Sequence, residues 1–356
     1  MDAIQKQDTN VNTTQKSNRN SAVSLIKWFA SMMVVVAHVP FPGRFGKVMR
    51  CLARFTVPFF FMISGYYAYR IPYVKIVDRL KKMIFIILWT NLLFLCCRCF
   101  SAVIFDHKDL GQYLARLFTV KKLARFVFLG RNPFSGYQLW YLNAVALTYI
   151  ALGVYTRFWK EPDQINYSCL YIISFCGLMF QIALGTKAEA VGLKISHVIY
   201  RYCLFYGLPL FSLGLFMHEY GERVATNYSL DRIKSMLLIA FGIALSLLQW
   251  FGLGNQEMPL GMLLVVIGIA MLTLIHPGPQ LLSATMCFLL EKCSLMVYII
   301  HPLVNLAINK LQDRVPLFSK MISMKSIYPL CIIAICLAIG FLYGLISLSV
   351  KKIRDH

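Results

Sequence analysis

Apolar and polar positions in this chain fall into long blocks, without the residue-by-residue alternation of a half-buried strand. Apolar runs of about twenty residues recur, long enough to cross roughly 30 Å of hydrocarbon as a helix. Charge, proline and glycine collect between them. In lipid every backbone group must be satisfied internally, and an open apolar run does this as a helix. About ten such runs can be counted, at residues 22–40, 52–70, 82–105, 139–158, 168–185, 199–217, 233–251, 258–276, 287–309 and 328–350. The pattern predicts an all-α, polytopic transmembrane helical bundle, one domain over residues 21–350. Residues 1–20 are rich in Asn, Gln, Thr and Lys and read as a disordered cytoplasmic tail, and 351–356 read as a short basic cytoplasmic tail. The longest linker, 106–138, mixes basic and apolar residues at helical spacing from Gln112 to Phe128, as interfacial helices do. The first run lacks a small-residue cleavage site, so no cleavable signal sequence is expected. No internal repeat is visible.

Composition strengthens this picture. Of 356 residues 58% are hydrophobic and 14% charged, far from the quarter charged of a soluble domain. The net charge of +21 does not indicate nucleic acid, because the basic residues lie mostly in the loops, where they meet anionic headgroups. A basic pocket for a phosphate-bearing cofactor also fits. Orientation is not settled by charge: with the N-terminus inside, each side of the membrane carries 17 loop Lys and Arg. The short, dense loop from Arg70 to Lys82 favours an inside N-terminus, and an even number of spans returns the C-terminus to the cytoplasm. The eleven cysteines have no metal or redox spacing and read as buried free thiols.

Within the apolar runs a few polar residues invite a chemical reading. Lys27 and His38 share the first run. Eleven helical steps return His38 to within roughly 20° of the Lys27 face, about 16 Å further along the axis. Ionisable groups inside a span are costly and are functional candidates. Neutral histidine is a general base near pH 7, and lysine holds phosphate as a point charge. The alternative is a snorkelling lysine and a histidine at an interfacial helix end. Ser64-Gly65 lies deep in the second run, where small residues allow close helix approach; Ser64 is a packing contact or a site residue. Arg79 and Lys82 share a helix face, as a lipid anchor or a cradle for cofactor phosphates. Arg98 lies mid-span and needs a partner or a wet cavity. Trp140 opens the fourth run, in an aromatic belt or at an acceptor entrance. Ser294, Tyr298, His301 and Asn305 form one stripe at helical spacing, and Pro302 deprives the Tyr298 carbonyl of its helical N–H. No HExxH, GxSxG or phosphate-loop motif is present, and no metal is expected.

Four of these stretches together resemble the acyltransferase-3 family of bacterial integral membrane proteins. They are Lys27 with His38 after ten intervening residues, the Pro-Phe-Phe-Phe-x-x-Ser-Gly run from Pro58 to Gly65, the pair Arg79 and Lys82, and Tyr298-x-x-His301-Pro302. Leu139-Trp140-Tyr141-Leu142 is similar as well, and the resemblance covers about residues 20–350. It implies an O-acyltransferase of the bacterial inner (cytoplasmic) membrane. The donor would be cytoplasmic acyl-CoA, by family expectation acetyl-CoA, and the acceptor a hydroxyl of an envelope glycan or lipid-linked sugar. By this match His38 resembles the essential histidine and Lys27 its basic partner. Arg79 and Lys82 would hold the CoA phosphates, while His301, Tyr298, Trp140, Ser64 and Arg98 would line the acceptor side. The family often has Arg where this chain has Lys27 and Lys82, so a bidentate phosphate grip gives way to point charges. The same polar cavity without acyl chemistry would suit a transporter or exporter of a polysaccharide or small polar solute.

Overall fold

A computed structural model describes residues 20–129, 134, 138–159, 161–190, 203–224, 228–254, 256 and 258–354, with the backbone alone for 127–129, 184–190 and 228. The tail expected before residue 20 and the start of the span expected at 199–217 lie outside these residues. The described chain is helical, with no strand. In order the helices are α1 (Ser21–His38), α2 (Gly43–Leu52), α3 (Thr56–Tyr66), α4 (Tyr73–Ile104), α5 (Leu110–Leu117), α6 (Val120–Leu129) and α7 (Trp140–Thr156). Then come α8 (Ser168–Ala190), α9 (Leu208–Arg223), α10 (Tyr228–Leu253), α11 (Leu260–Ala270), α12 (Ala284–Leu311), α13 (Pro316–Ser323) and α14 (Tyr328–Arg354). π-helical turns, Cys203–Gly207 and Met271–Ile275, lead into α9 and out of α11.

Among the described residues, six stretches are long and apolar enough to cross a membrane: Ser21–His38, Gly43–Tyr66, Tyr73–Ile104, Ser229–Leu253, Ala284–Leu311 and Tyr328–Arg354. Ser168–Ala183 and Leu260–Ile275 are shorter apolar helices. The α4 helix begins nine residues before the expected residue 82, and the Gly43–Tyr66 stretch nine before the expected 52, so Arg79 and Lys82 lie more than one turn inside their helix rather than at its start. The linker expected to hold one amphipathic segment holds two, α5 and α6. Residues 351–354 continue α14 as helix.

Helix starts follow local chemistry. Asn20 accepts from the Val23 N–H, Asp109 from Gln112 and Ser283 from Met286, each satisfying a donor that the first turn leaves open. Packing follows small residues. A Cβ on Gly65 of α3 would stand 1.8 Å from the Phe211 carbonyl oxygen of α9, and one on Gly214 would stand 2.0 Å from the Met62 carbonyl oxygen. The two backbones touch there, as glycine permits. α1 and α12 run side by side in the same direction. Ser24 Oγ and Glu291 Oε1 are 3.5 Å apart near one end, and the rings of His38 and His301 stack at the other. α4 pairs with α7, α10 with α11, and α12 with α14. All eleven cysteines are free thiols. Five are buried as expected, but Cys96, Cys169 and Cys176 lie on the outside of the bundle, where apolar residues such as Phe100 and Phe175 are also exposed. Sulfur is apolar enough for such a face.

Candidate functional site

Five helices enclose a cavity of about 330 Å³. α1 contributes Lys27, α3 Phe60 and Ser64, α4 Arg79 and Lys82, α7 Tyr141 and Tyr149, and α12 Glu291, Ser294 and Tyr298. Each reaches it by helical periodicity. On α7 Tyr141 and Tyr149 are eight residues apart, and on α12 Glu291, Ser294 and Tyr298 follow at steps of three and four. Arg79 and Lys82 are one turn apart on α4, with Arg79 half-buried and Lys82 exposed.

Charge is uneven across this space: three cations and one carboxylate line it. In a low-dielectric bundle that excess favours an anion. Ser64 lies within hydrogen-bonding reach of the Tyr141 and Tyr149 hydroxyls, and Tyr149 within reach of Arg79. The Ser64 Oγ also donates to the Phe60 carbonyl at 2.8 Å. Lys27 lies 5.9 Å from the centre of the Tyr67 ring.

Beyond Tyr298 the cavity gives way to packed rings. Tyr141 meets Tyr298 edge to face at 5.8 Å, and Tyr298 lies 6.2 Å from His301. His301 in turn stacks on His38 at 5.3 Å with 22° between the planes. His301 is fully buried, whereas His38 is half-buried at the last residue of α1. His301 Nδ1 lies 2.8 Å from the Tyr298 carbonyl oxygen. That is the carbonyl that Pro302 leaves open, and a carbonyl only accepts, so Nδ1 carries the proton. Neutral His301 therefore holds a bare lone pair on Nε2, which has no hydrogen-bond partner among the described residues.

The sequence-based candidates divide accordingly. Lys27, Ser64, Arg79, Lys82 and Tyr298 share the cavity. His38 and His301 form a stacked pair next to Tyr298 but do not line it. Trp140 faces elsewhere, packed 6.3 Å from Phe61 and 5.4 Å from Tyr206. One helical step separates it from Tyr141, a rotation of about 100°. Arg98 is half-buried and also outside the cavity; sixteen residues past Lys82, it sits about 24 Å further along α4. Sequence reasoning missed Glu291 and Tyr149, and it met Tyr141 only within the Leu139-Trp140-Tyr141-Leu142 run, where it singled out Trp140. Glu291 had a signal, because it extends the Ser294–Tyr298–His301 stripe by one turn toward the N-terminus. For Tyr149 there was none, since α7 is apolar all round.

A family model described as an acyltransferase domain, Acyl_transf_3, matches residues 20–347. A curated relative from Enterococcus faecalis, described as an amino-acid racemase, is 23% identical over 353 residues, which is 94% of this chain and 47% of that protein. The chain thus spans about half the length of that relative. No solved structure matches the chain.

Proposed function

The chain belongs to the acyltransferase-3 family, and from that premise we propose that it is an O-acyltransferase of the bacterial cytoplasmic membrane. It moves an acetyl group from cytoplasmic acetyl-CoA to a hydroxyl of an envelope polysaccharide or lipid-linked sugar. The observation that carries this reading is that one cavity unites Lys27, Arg79 and Lys82 and is bounded by Tyr298, whose ring packs next to the stacked His301 and His38. Ten crossings with both termini in the cytoplasm complete it. The shorter helices α7, α8, α9 and α11 then span together with the six longer ones.

In this reading Arg79 and Lys82 take the phosphates of the donor, with Lys27 as a third cation. The arm of the donor extends along the cavity toward Tyr298, over the roughly 16 Å of axis that separates Lys27 from His38. His38 accepts the proton of the acceptor hydroxyl as its oxygen bonds to the acyl carbon. The carbon–sulfur bond breaks, and the proton passes from His38 to the departing thiolate. Stacked His301 holds the His38 ring in place, and its Nδ1–H, tied to the Tyr298 carbonyl, keeps it in one tautomer. Glu291 balances part of the positive charge around Lys27, and Ser64 with the two tyrosines orders the middle of the channel.

The test is thiol release from acetyl-CoA by the purified protein with a glycan acceptor, alongside mass spectrometry of envelope polysaccharide from a deletion strain. Acceptor-dependent release and a missing acetyl mass are expected. A His38→Ala protein that releases thiol at the wild-type rate overturns the role of His38. Acceptor movement across vesicles with no thiol release overturns acyl transfer itself.

A further inference from the structure

The end of the bundle that carries His38 holds a second cavity, of about 360 Å³. It lies between α2 and the C-terminal end of α10, and its walls include Pro40, Phe41, Lys47, Arg50, Trp250 and Phe251. Its electrostatics are one-sided. Among the described residues that line it none is acidic, and the chain carries no Asp or Glu from residue 9 to residue 77. Lys47 and Arg50 are three residues apart and share a face of α2. The Arg54 guanidinium, one turn on, lies 5.7 Å from the Trp250 ring and adds a further positive charge behind that wall.

The walls are held in place. The Cys51 thiol lies 3.5 Å from the Ser246 carbonyl oxygen, which ties buried Cys51 of α2 to α10. Gly46 sits so close to the Phe41 carbonyl that a Cβ would stand 1.7 Å from its oxygen, so the turn after α1 folds back tightly on α2. An amphipathic helix that merely anchors to headgroups points its cations outward along the bilayer surface. Here two cations face a concavity whose opposite wall is aromatic. Trp250 is 7% exposed and Phe251, beside it at the helix end, is 57% exposed. The volume falls within the range of small-molecule sites, about 300–1,000 Å³. One wall suits oxyanions and the other suits apolar or ring surface.

We propose that this pocket binds the phosphate group of an amphiphile, with Lys47 and Arg50 on the phosphoryl oxygens and the Trp250 and Phe251 side against its apolar part. Arg50 supplies the fork and Lys47 the point charge. Two sources carry this chemistry: the phosphate linkage of a lipid-linked sugar, and the headgroup of a bilayer phospholipid. Pro40 is two residues beyond His38, so their Cα atoms lie within about 7 Å. The pocket therefore opens on the histidine end of α1 and not on the Arg79 end. That it serves the acceptor rests on the acyl-transfer reading; that it binds phosphate does not.

The experiment measures binding and not turnover, so it stands whether or not the protein transfers acyl groups. Purified full-length protein in detergent is titrated with geranyl diphosphate, and the phosphatidylglycerol retained per protein is counted by native mass spectrometry. A Lys47→Gln/Arg50→Gln double variant is compared with Arg44→Gln, an exposed position on the same helix outside the pocket. Loss of about tenfold or more in diphosphate affinity in the double variant alone supports the lipid-linked source. Loss of retained phosphatidylglycerol in the double variant alone supports the headgroup source. If neither changes, or if Arg44→Gln lowers both equally, the pocket is refuted as a phosphate site. Should the double variant elute as aggregate, Lys47→Gln alone, at an exposed side chain, is judged by the same comparison with a loss of about threefold.

Discussion

Gly65→Ala tests whether the bundle brings the cavity walls together as described. The new Cβ would stand 1.8 Å from the Phe211 carbonyl oxygen and 3.1 Å from the Phe211 Cα, against 3.4 Å for ordinary contact. Both partners are backbone, so no side chain can swing aside, and α3 and α9 must separate by about 1.6 Å. A gap of 0.5–1 Å already forfeits roughly a quarter to a half of a contact's attraction. Overpacking a well-filled site costs about 1–3 kcal/mol, and a backbone clash belongs at the upper end. Alanine returns about 1 kcal/mol of helix propensity. The net loss is about 2 kcal/mol, which for a chain of 356 residues is a fall in melting temperature of about 3 °C. Ser64 and Phe60 ride on the same helix, so the cavity widens and activity falls with stability. Thermal unfolding in detergent, followed by size-exclusion fluorescence, reads the first effect. Gly252→Ala, with no atom within 4 Å of its Cβ, is the matched control and should melt as wild type or slightly higher. A Gly65→Ala protein that melts with that control would refute the close α3–α9 contact.

Four further outcomes follow from the geometry. Arg79→Gln should raise the KM for acetyl-CoA by about 10–100-fold, the worth of one charge-assisted hydrogen bond, and steady-state kinetics with kcat nearly unchanged would confirm a binding role. Lys82→Gln, at an exposed side chain, should do the same more weakly and with a stronger dependence on salt. His301→Phe keeps a ring beside His38 but orphans the Tyr298 carbonyl, costing about 1–3 kcal/mol of stability; Pro302→Ala in that background restores an N–H and should recover part of it, and a double-mutant cycle without coupling rejects the idea. Beyond the end of α4, ion pairing with Lys310 and then Lys108 holds the Asp106 carboxyl below its ordinary range. A depressed value means stabilisation present above the unfolded pKa, near 3.9, and lost as pH falls through the folded value. Asp106→Asn should therefore destabilise by less than about 1 kcal/mol at pH 7, with the difference closing below about pH 4 in melting curves.

The sequence alone determined much of this protein, because two of its signals are one-dimensional. Length and hydropathy of the apolar runs predict helices, and lipid leaves a bare run few other folds. Helical periodicity then places residues on one face within each helix: Lys27 with His38, Arg79 with Lys82, and Tyr298 with His301. Pro302 likewise announces an open carbonyl, although only the folded structure shows that His301 itself takes it. Periodicity cannot say which face meets which neighbour. That depends on crossing points such as Gly65 against Phe211, set by contacts between residues over a hundred positions apart. Only the tertiary structure decided that five helices share one cavity, that Glu291, Tyr141 and Tyr149 belong to it, and that Trp140 and Arg98 do not. The same holds for the second pocket, where the cations of α2 acquire meaning from Trp250, two hundred residues away in the chain. Local composition fixes a residue's depth and face, whereas its chemical company is a property of the packed bundle.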